Sequence, residues 1–340
     1  MVTKDKPAAH VPVLTKRDFQ SNQETRWCPG CGDYSILAQT QKMLPNLGIP
    51  REKIVFISGI GCSSRFPYYM NAYGMHSIHG RALTIASGLK LSRPDLTVFV
   101  ITGDGDSLSI GGNHFIHAMR RNVDINVLQF NNQIYGLTKG QYSPTSEVGK
   151  VTKSSPLGSI EEPLKPIPLA LTTGATFVAR TFDTDPNHLA TTLEQAGRHK
   201  GISFVEVLQN CNIFNDGAYR GFTDKPVRSE RMVYLEDGQP IVFGDDRDKG
   251  VALRGTELEV VAADDPSVLV HDATRDNTSI ANMLALMTYP EMPVPVGVFR
   301  QVDRLTYGDA LDEQIAEATA KRGEGDLAAL IRGENTWLVE

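Results

Sequence analysis

Four cysteines are the first chemistry-bearing feature of this 340-residue chain. Two lie in Trp27-Cys28-Pro29-Gly30-Cys31-Gly32, the third in Gly59-Ile60-Gly61-Cys62-Ser63-Ser64, and the fourth in Leu208-Gln209-Asn210-Cys211. A Cys-x-x-Cys lets two sulfurs converge on one site, and thiolates suit Zn²⁺ or an iron–sulfur cluster. The neighbouring glycines leave backbone N–H groups free to bond cluster sulfides. Other readings compete. The Cys28/Cys31 pair could be a redox dithiol, with Cys62 and Cys211 inert buried thiols. A four-cysteine zinc site usually has two Cys-x-x-Cys knuckles, and here there is one. Four cysteines are too few, for this length, to staple a small secreted fold.

The second feature is Gly103-Asp104-Gly105-Asp106, followed by Asn131-Asn132. A carboxylate and a carboxamide oxygen are hard donors, suited to Mg²⁺, which takes octahedral oxygen ligands at about 2.0–2.1 Å and shares them with phosphates. Gly103 and Gly105 let the backbone approach a diphosphate, and a helix starting there offers N–H groups to anionic oxygens. Gly-Asp-Gly alone is also ordinary turn chemistry. The paired asparagines are what make it a candidate site. Neither a G-x-x-x-x-G-K-[ST] loop nor a G-x-G-x-x-G after a first strand is present, so neither a P-loop nor a dinucleotide fold has support.

These residues need elements that bring them together. Residues 53–58, 96–102, 124–130, 176–180 and 202–208 read as strands, the last four runs being nearly all apolar or β-branched. Residues 80–91, 112–121, 166–173 and 186–199 read as helices. Buried strands alternating with helices imply an α/β fold with a mainly parallel sheet covered on both faces. Right-handed crossovers then align the strand C-terminal ends on one edge, where ligands bind. Asp104, Asn132, Cys62 and Cys211 all follow such ends. The long connection 131–165, rich in Gly, Pro, Ser and Thr, is expected to be functional. After Asn210 the alternation stops. Residues 256–261 read as a strand, and 278–287 and 310–320 as helices. We divide the chain into an N-terminal arm (1–22), a cofactor-binding domain (23–211) and a C-terminal extension (212–340) that makes subunit contacts.

Composition sets the outer limits. With 41% hydrophobic and 22% charged residues the chain can bury a core. A net charge of −6 does not favour a nucleic-acid surface. No apolar run approaches the ~20 residues of a membrane span. Residues 1–20 lack the apolar segment of a signal peptide, so a cytoplasmic protein is expected.

Gly103-Asp104-Gly105 with Asn131-Asn132 about thirty residues on resembles the thiamine diphosphate motif. The order CPGCG, GIGCSS, HGRA, GDGD and YGLTKGQ with SPT close behind, ending in a distant cysteine, is similar to the β subunits of 2-oxoacid:ferredoxin oxidoreductases. The match covers roughly residues 27–211. It implies the diphosphate-binding half of the thiamine-diphosphate fold, with Asp104, Asn132 and the carbonyl of Ile134 as Mg²⁺ ligands. It implies one [4Fe–4S] cluster on Cys28, Cys31, Cys62 and Cys211. Cys62, Ser63, Ser64, His79, Gly103, Asp104, Gly105, Asp106, Asn132, Ile134, Gly136 and Leu137 would surround the cofactor.

The implied reaction is coenzyme A-dependent oxidative decarboxylation of a 2-oxoacid, with electrons leaving singly to ferredoxin. Arg65 and Lys139 match the family's substrate-facing basic residues, and His79 joins them as a catalytic candidate. Arg suits a carboxylate. His76 and Arg81 lie near the same helix start, and His76 and His79 could equally be capping or core residues. His114, His117, His188 and His199 read as structural. The GCSSRFP and GLTKGQYSPTS stretches look closest to the 2-oxoglutarate branch; pyruvate and branched-chain 2-oxoacids stay open. Glu147, Glu161 and Glu162 read as solvated, so the glutamate that activates the thiamine ring is expected from a separate α subunit in an α₂β₂ assembly. A cluster-free thiamine decarboxylase and a zinc-binding scaffold remain competing readings. Each leaves one motif unexplained.

Overall fold

In the computed structural model, residues 14–337 and 339 are described; residues 1–13 of the expected N-terminal arm lie outside them. The first half runs α1 (Asp33–Met43), β1 (Ile54–Ser58), β2 (Tyr73–His76), α2 (Ala82–Ser92), β3 (Thr97–Gly103), α3 (Asp104–Leu108), α4 (Gly112–Arg121) and β4 (Asn126–Asn131). Then come α5 (Pro166–Thr172), β5 (Phe177–Phe182), α6 (Pro186–Arg198) and β6 (Ser203–Leu208). The rest adds α7 (Arg220–Thr223), α8 (Lys225–Arg231), β7 (Met232–Leu235), β8 (Val242–Phe243), β9 (Lys249–Arg254), β10 (Glu257–Ala262), α9 (Ser279–Ala285), β11 (Val294–Gln301), α10 (Tyr307–Arg322) and α11 (Leu327–Arg332).

The main sheet has eight strands in the order β2-β1-β3-β4-β6-β5-β11-β7. Every pairing is parallel except β5 with β11. Strands β1, β4, β5 and β6 are buried along their whole length, as apolar strands covered on both faces must be. The two-residue alternation divides their side chains. Val55, Val98 and Val127 pack with α2, α4 and α5 on one face, and Phe56, Phe99 and Leu128 with α1 and α6 on the other. Helix α6 starts at Asp185, whose carboxylate accepts from the N–H of His188, with Pro186 at the first helical position.

The expected parallel α/β sheet is present, and the six strands read from the sequence, five of them in this sheet, lie within a few residues of their expected places. The stretch 132–165 carries no helix or named strand, only an isolated bridge between Tyr135 and Gln141. The C-terminal part differs from the extension expected. It does not stay outside the sheet: β7 and β11 extend it by two strands, and β8, β9 and β10 form a small antiparallel sheet of their own. Pro293, Pro295 and Gly297 punctuate β11 and hide it from a pattern reading. Gly297 sits at φ +111°, and the register shifts between Val298 and Arg300. Among the described residues no helix is long and apolar enough to cross a membrane.

Candidate functional site

The register of β3 with β4 pairs Gly103 with Phe130. Asp104 and the Asn131-Asn132 pair therefore leave the sheet side by side. Asp104 is 2% exposed. Its Oδ2 accepts from Ser143 Oγ at 2.5 Å and Thr145 Oγ1 at 2.6 Å. Burial pushes this carboxyl up, and the two hydroxyls work against that. Thr145 Oγ1 also reaches Asn131 Oδ1 at 3.0 Å. The long connection is thus anchored on the Asp104 carboxylate. Asn132 Oδ1 accepts from the N–H of Ile134 at 3.2 Å, and its Nδ2 donates to Gln209 Oε1 at 2.8 Å.

Asp106 has a different job from Asp104. Its Oδ1 accepts from the N–H of Ile60 (3.1 Å), the N–H of Gly80 (2.7 Å) and His79 Nδ1 (2.5 Å), while Oδ2 accepts from Thr102 Oγ1 (2.7 Å). Asp106 ties the loops after β1 and β2 to the end of β3. It spends both oxygens inside the protein, so it orients His79 rather than meeting a ligand through its carboxylate. Gly105 has a reason to be glycine besides the approach of a phosphate. A Cβ there would come within 2.2 Å of the Tyr135 ring, whose hydroxyl donates to the Gly105 carbonyl at 3.1 Å. Tyr135 fills the space a side chain would take.

The four cysteines come from three stretches of chain and meet at the same edge. The Cys28-to-Cys31 turn is closed by Cys31 N–H to the Cys28 carbonyl, 3.1 Å. Three further bonds stitch it to the segment after β6: Gly32 N–H to the Asn210 carbonyl (3.2 Å), Asn212 Nδ2 to the Pro29 carbonyl (2.5 Å) and Gln209 Nε2 to Cys31 Sγ (3.2 Å). Trp27 Nε1 donates to the Cys62 carbonyl at 2.7 Å. A Cβ added at Gly136 would lie 3.6 Å from both Cys62 Sγ and Cys211 Sγ. The sulfurs also act on one another. Burial pushes the Cys62 thiol up to about 12, with Asp33, Cys211 and Cys28 adding to it and Arg65 opposing. Burial and then Asp33 raise Cys31 further still. All four cysteines are free. No three His, Cys, Asp or Glu side chains among the described residues are grouped tightly enough to hold a single metal ion.

Ser63 and Ser64 are buried, and Ser64 Oγ has no partner among the described residues; the same holds for His76 Nε2. Arg65 is half-buried, its Nε bonded to Tyr69 OH at 3.1 Å. Lys139 stands exposed at φ +74° in a turn closed by Gly140 N–H to the Tyr135 carbonyl. Leu137, exposed, shares that turn. The two basic residues lie on different loops at this edge. Glu147, Glu161 and Glu162 are exposed, as expected. Glu206 is buried nearby, but Arg180 (2.7 Å) and Asn131 Nδ2 (2.8 Å) occupy it.

Several residues of the site carried no motif. Asp33 is fully buried beside Cys31. Its carboxyl is pushed up to about 7, mainly by burial, with a hydrogen bond from Cys31 opposing and Asp183 adding. Gln209 and Asp183 likewise had nothing around them to mark them, and Asn131 stood in the asparagine pair without a role of its own. Ser143 and Thr145 lay in the SPT stretch of the resemblance, which named no role for them.

Comparison with known proteins places the fold and the family. The thiamine pyrophosphate enzyme, C-terminal TPP binding domain family matches residues 59–207, the span from the loop after β1 to the end of β6. The chain is 52% identical to the 2-oxoglutarate oxidoreductase subunit KorB of Mycobacterium tuberculosis over 330 residues, 95% of this chain and 88% of that protein. It is 48% identical to the 2-oxoacid:ferredoxin oxidoreductase subunit beta of Saccharolobus solfataricus over 203 residues, 59% of this chain and 67% of that one. A solved structure of 2-oxoglutarate:ferredoxin oxidoreductase from Magnetococcus marinus, with 2-oxoglutarate, coenzyme A and succinyl-CoA bound, superposes with a TM-score of 0.77 at 32% identity, covering 95% of this chain and 97% of that one. Through these relatives, the chain belongs to the β-subunit family of the 2-oxoacid:ferredoxin oxidoreductases.

Proposed function

We propose that this chain, paired with an α subunit as α₂β₂, converts 2-oxoglutarate, coenzyme A and two oxidised ferredoxins to succinyl-CoA, CO₂, a proton and two reduced ferredoxins. Asp104, Asn132 and the Ile134 carbonyl hold Mg²⁺ against the diphosphate. Cys28, Cys31, Cys62 and Cys211 hold one [4Fe–4S] cluster. The observation that carries this reading is the convergence of all four cysteines on the edge that also bears Asp104 and Asn132. Thiolates from two different loops, Cys62 and Cys211, come together beside the side-chain-free Gly136, as ligation of one group requires. The carboxylate and carbonyl oxygens fit a hard cation, and the orphaned Ser64 hydroxyl fits a polar ligand. The relatives' names and the ligands of the Magnetococcus marinus structure support 2-oxoglutarate as the substrate.

Bound thiamine diphosphate supplies the carbon nucleophile and electron sink, and the cluster takes electrons one at a time. This chain's residues do the positioning. Ser143 and Thr145 keep one Asp104 oxygen occupied and so aim the other. Asp106 holds the His79 ring by Nδ1, which leaves Nε2 free for a ligand. Arg65 and Lys139 supply the cations for a dicarboxylate. Apolar side chains exposed around this edge, Ile78 at 71% and Ile110 at 52% among them, suit coverage by the α subunit, which also brings the activating glutamate. On this reading the residues after 211 both complete the sheet, through β7 and β11, and meet other subunits.

The test is anaerobic purification of the chain with its α partner, followed by iron and sulfide analysis and a visible spectrum. About four irons per β chain, with bleaching on 2-oxoglutarate plus coenzyme A, is expected. Bleaching by pyruvate alone overturns the substrate. Absence of iron, or stoichiometric zinc, overturns the redox role and returns the protein to a cluster-free thiamine enzyme or a zinc scaffold.

A further inference from the structure

Gln209 is the first residue beyond β6 and is 1% exposed. Its backbone N–H is taken by the Asn131 carbonyl at 2.9 Å, so its side chain is held between two loops. One amide makes three bonds. Oε1 accepts from Asn132 Nδ2 at 2.8 Å, and Nε2 donates to Cys31 Sγ at 3.2 Å and to the Asn210 carbonyl at 2.6 Å. The orientation is forced by the network. Turned over, the amide would set an oxygen against the carbonyl and the sulfur, and an NH₂ against another NH₂. Both polar atoms of the Gln209 side chain are therefore used, with one end on a cysteine and the other on an asparagine of the diphosphate edge.

We infer that Gln209 is a positioning residue that couples the two cofactor sites, orienting the Asn132 carboxamide toward the metal while donating N–H to the Cys31 sulfur. The inference rests on the cluster and Mg²⁺ assignments above. By occupying the Asn132 NH₂, Gln209 leaves only the carboxamide oxygen to face the Ile134 turn and a cation. By donating to Cys31 Sγ, it offsets thiolate charge, and hydrogen bonds to cluster sulfurs favour the reduced state. One residue thus sets both the geometry of the metal site and the ease with which the neighbouring cluster accepts an electron. A buried amide whose partners are removed leaves unsatisfied groups, so the coupling resists drift at either end.

Two variants of the assembled enzyme separate these roles. Gln209→Leu removes all three side-chain bonds. Gln209→Glu keeps an acceptor for Asn132 and loses the N–H toward Cys31. In Gln209→Leu at full iron content, EPR-monitored titration is expected to show a lower cluster midpoint potential. A tenfold loss in the one-electron reduction equilibrium corresponds to about 59 mV. The same variant is expected to need roughly tenfold more Mg²⁺ to bind thiamine diphosphate, read by tryptophan fluorescence quenching. Gln209→Glu lowers the potential but keeps wild-type Mg²⁺ dependence. An unchanged potential in both iron-replete variants overturns the link to Cys31. Unchanged Mg²⁺ dependence in Gln209→Leu overturns the link to Asn132. If Gln209→Leu fails to assemble, the near-isosteric Gln209→Glu decides, since an unchanged potential there refutes the coupling. A wild-type assembly without iron instead overturns the cluster assignment itself.

Discussion

Asp106 invites the sharpest test, because it separates a carboxylate that holds loops from one that holds a metal. Replacing it by alanine strips acceptors from the N–H groups of Ile60 and Gly80, from the His79 ring and from the Thr102 hydroxyl. Thr102 retains a weaker alternative in the Gly103 carbonyl at 3.3 Å, and His79 is partly exposed and can turn to water. The two backbone N–H groups remain stranded, along with a small cavity. At about 1–3 kcal/mol for each unsatisfied buried group, the loss comes to about 3–5 kcal/mol. For 340 residues, an unfolding entropy of about 2.1 cal/mol/K per residue gives about 0.7 kcal/mol/K, so Tm falls by roughly 4–7 °C. Asp106→Asn keeps an oxygen for Ile60 and Gly80 and should lose about a third of that. Scanning calorimetry of wild type and both variants measures the series. Thiamine diphosphate affinity should fall with it, since the loops carrying Cys62 and His79 come loose together. An Asn variant as unstable as the Ala variant, or an Ala variant with unchanged Tm, refutes the view that Asp106 acts through hydrogen bonds to these loops.

Gly136→Ala places a methyl 3.6 Å from both the Cys62 and Cys211 sulfurs, an ordinary contact in the absence of a cluster. Circular dichroism and Tm should stay near wild type while iron per chain drops by half or more; undiminished iron argues against a cluster there. Arg180 and Glu206, paired at 2.7 Å with their side chains 10% and 2% exposed, form a buried ion pair. Arg180→Met should cost about 3–5 kcal/mol in urea unfolding by stranding Glu206, and adding Glu206→Leu should recover part of it; a double variant no better than the single refutes this account. His188, bonded through Nδ1 to Thr181 Oγ1 at 2.8 Å, is brought from 6.5 down to about 4, mainly by burial, with Asp185 opposing and Arg228 assisting. Between those two pH values the unfolded chain binds the extra proton, so stability falls as pH drops from 6.5 toward 4, by on the order of 3 kcal/mol. His188→Gln should flatten that part of the urea-unfolding profile. Parallel wild-type and variant profiles over this window contradict the assigned cause.

The sequence by itself determined the parallel sheet and the edge at which Asp104, Asn132, Cys62 and Cys211 leave it. Strands such as Thr97–Gly103 are apolar along most of their length, and only a doubly covered sheet accommodates that. Where such a strand ends in Gly-Asp-Gly-Asp, the acidic oxygens must emerge at the edge. Residue type likewise limited the cysteines to thiolate chemistry. Tertiary structure alone decided how these groups are held. Gln209 and Cys31 lie 178 positions apart, Asn131 and Glu206 75, and Asp104 and Thr145 41. Hydrogen bonds across such separations leave no periodicity or spacing to read. Asp104 and Asp106 are alike in the chain, yet one is held by hydroxyls from the long connection and the other by backbone N–H groups. Strands β7 and β11 belong with these cases. Their place in the sheet comes from pairing with each other and with β5, and Pro295 and Gly297 break the local pattern that would have announced it. Local chemistry and burial are written along the chain, whereas the partner of each polar group exists only once the fold has brought distant segments into contact.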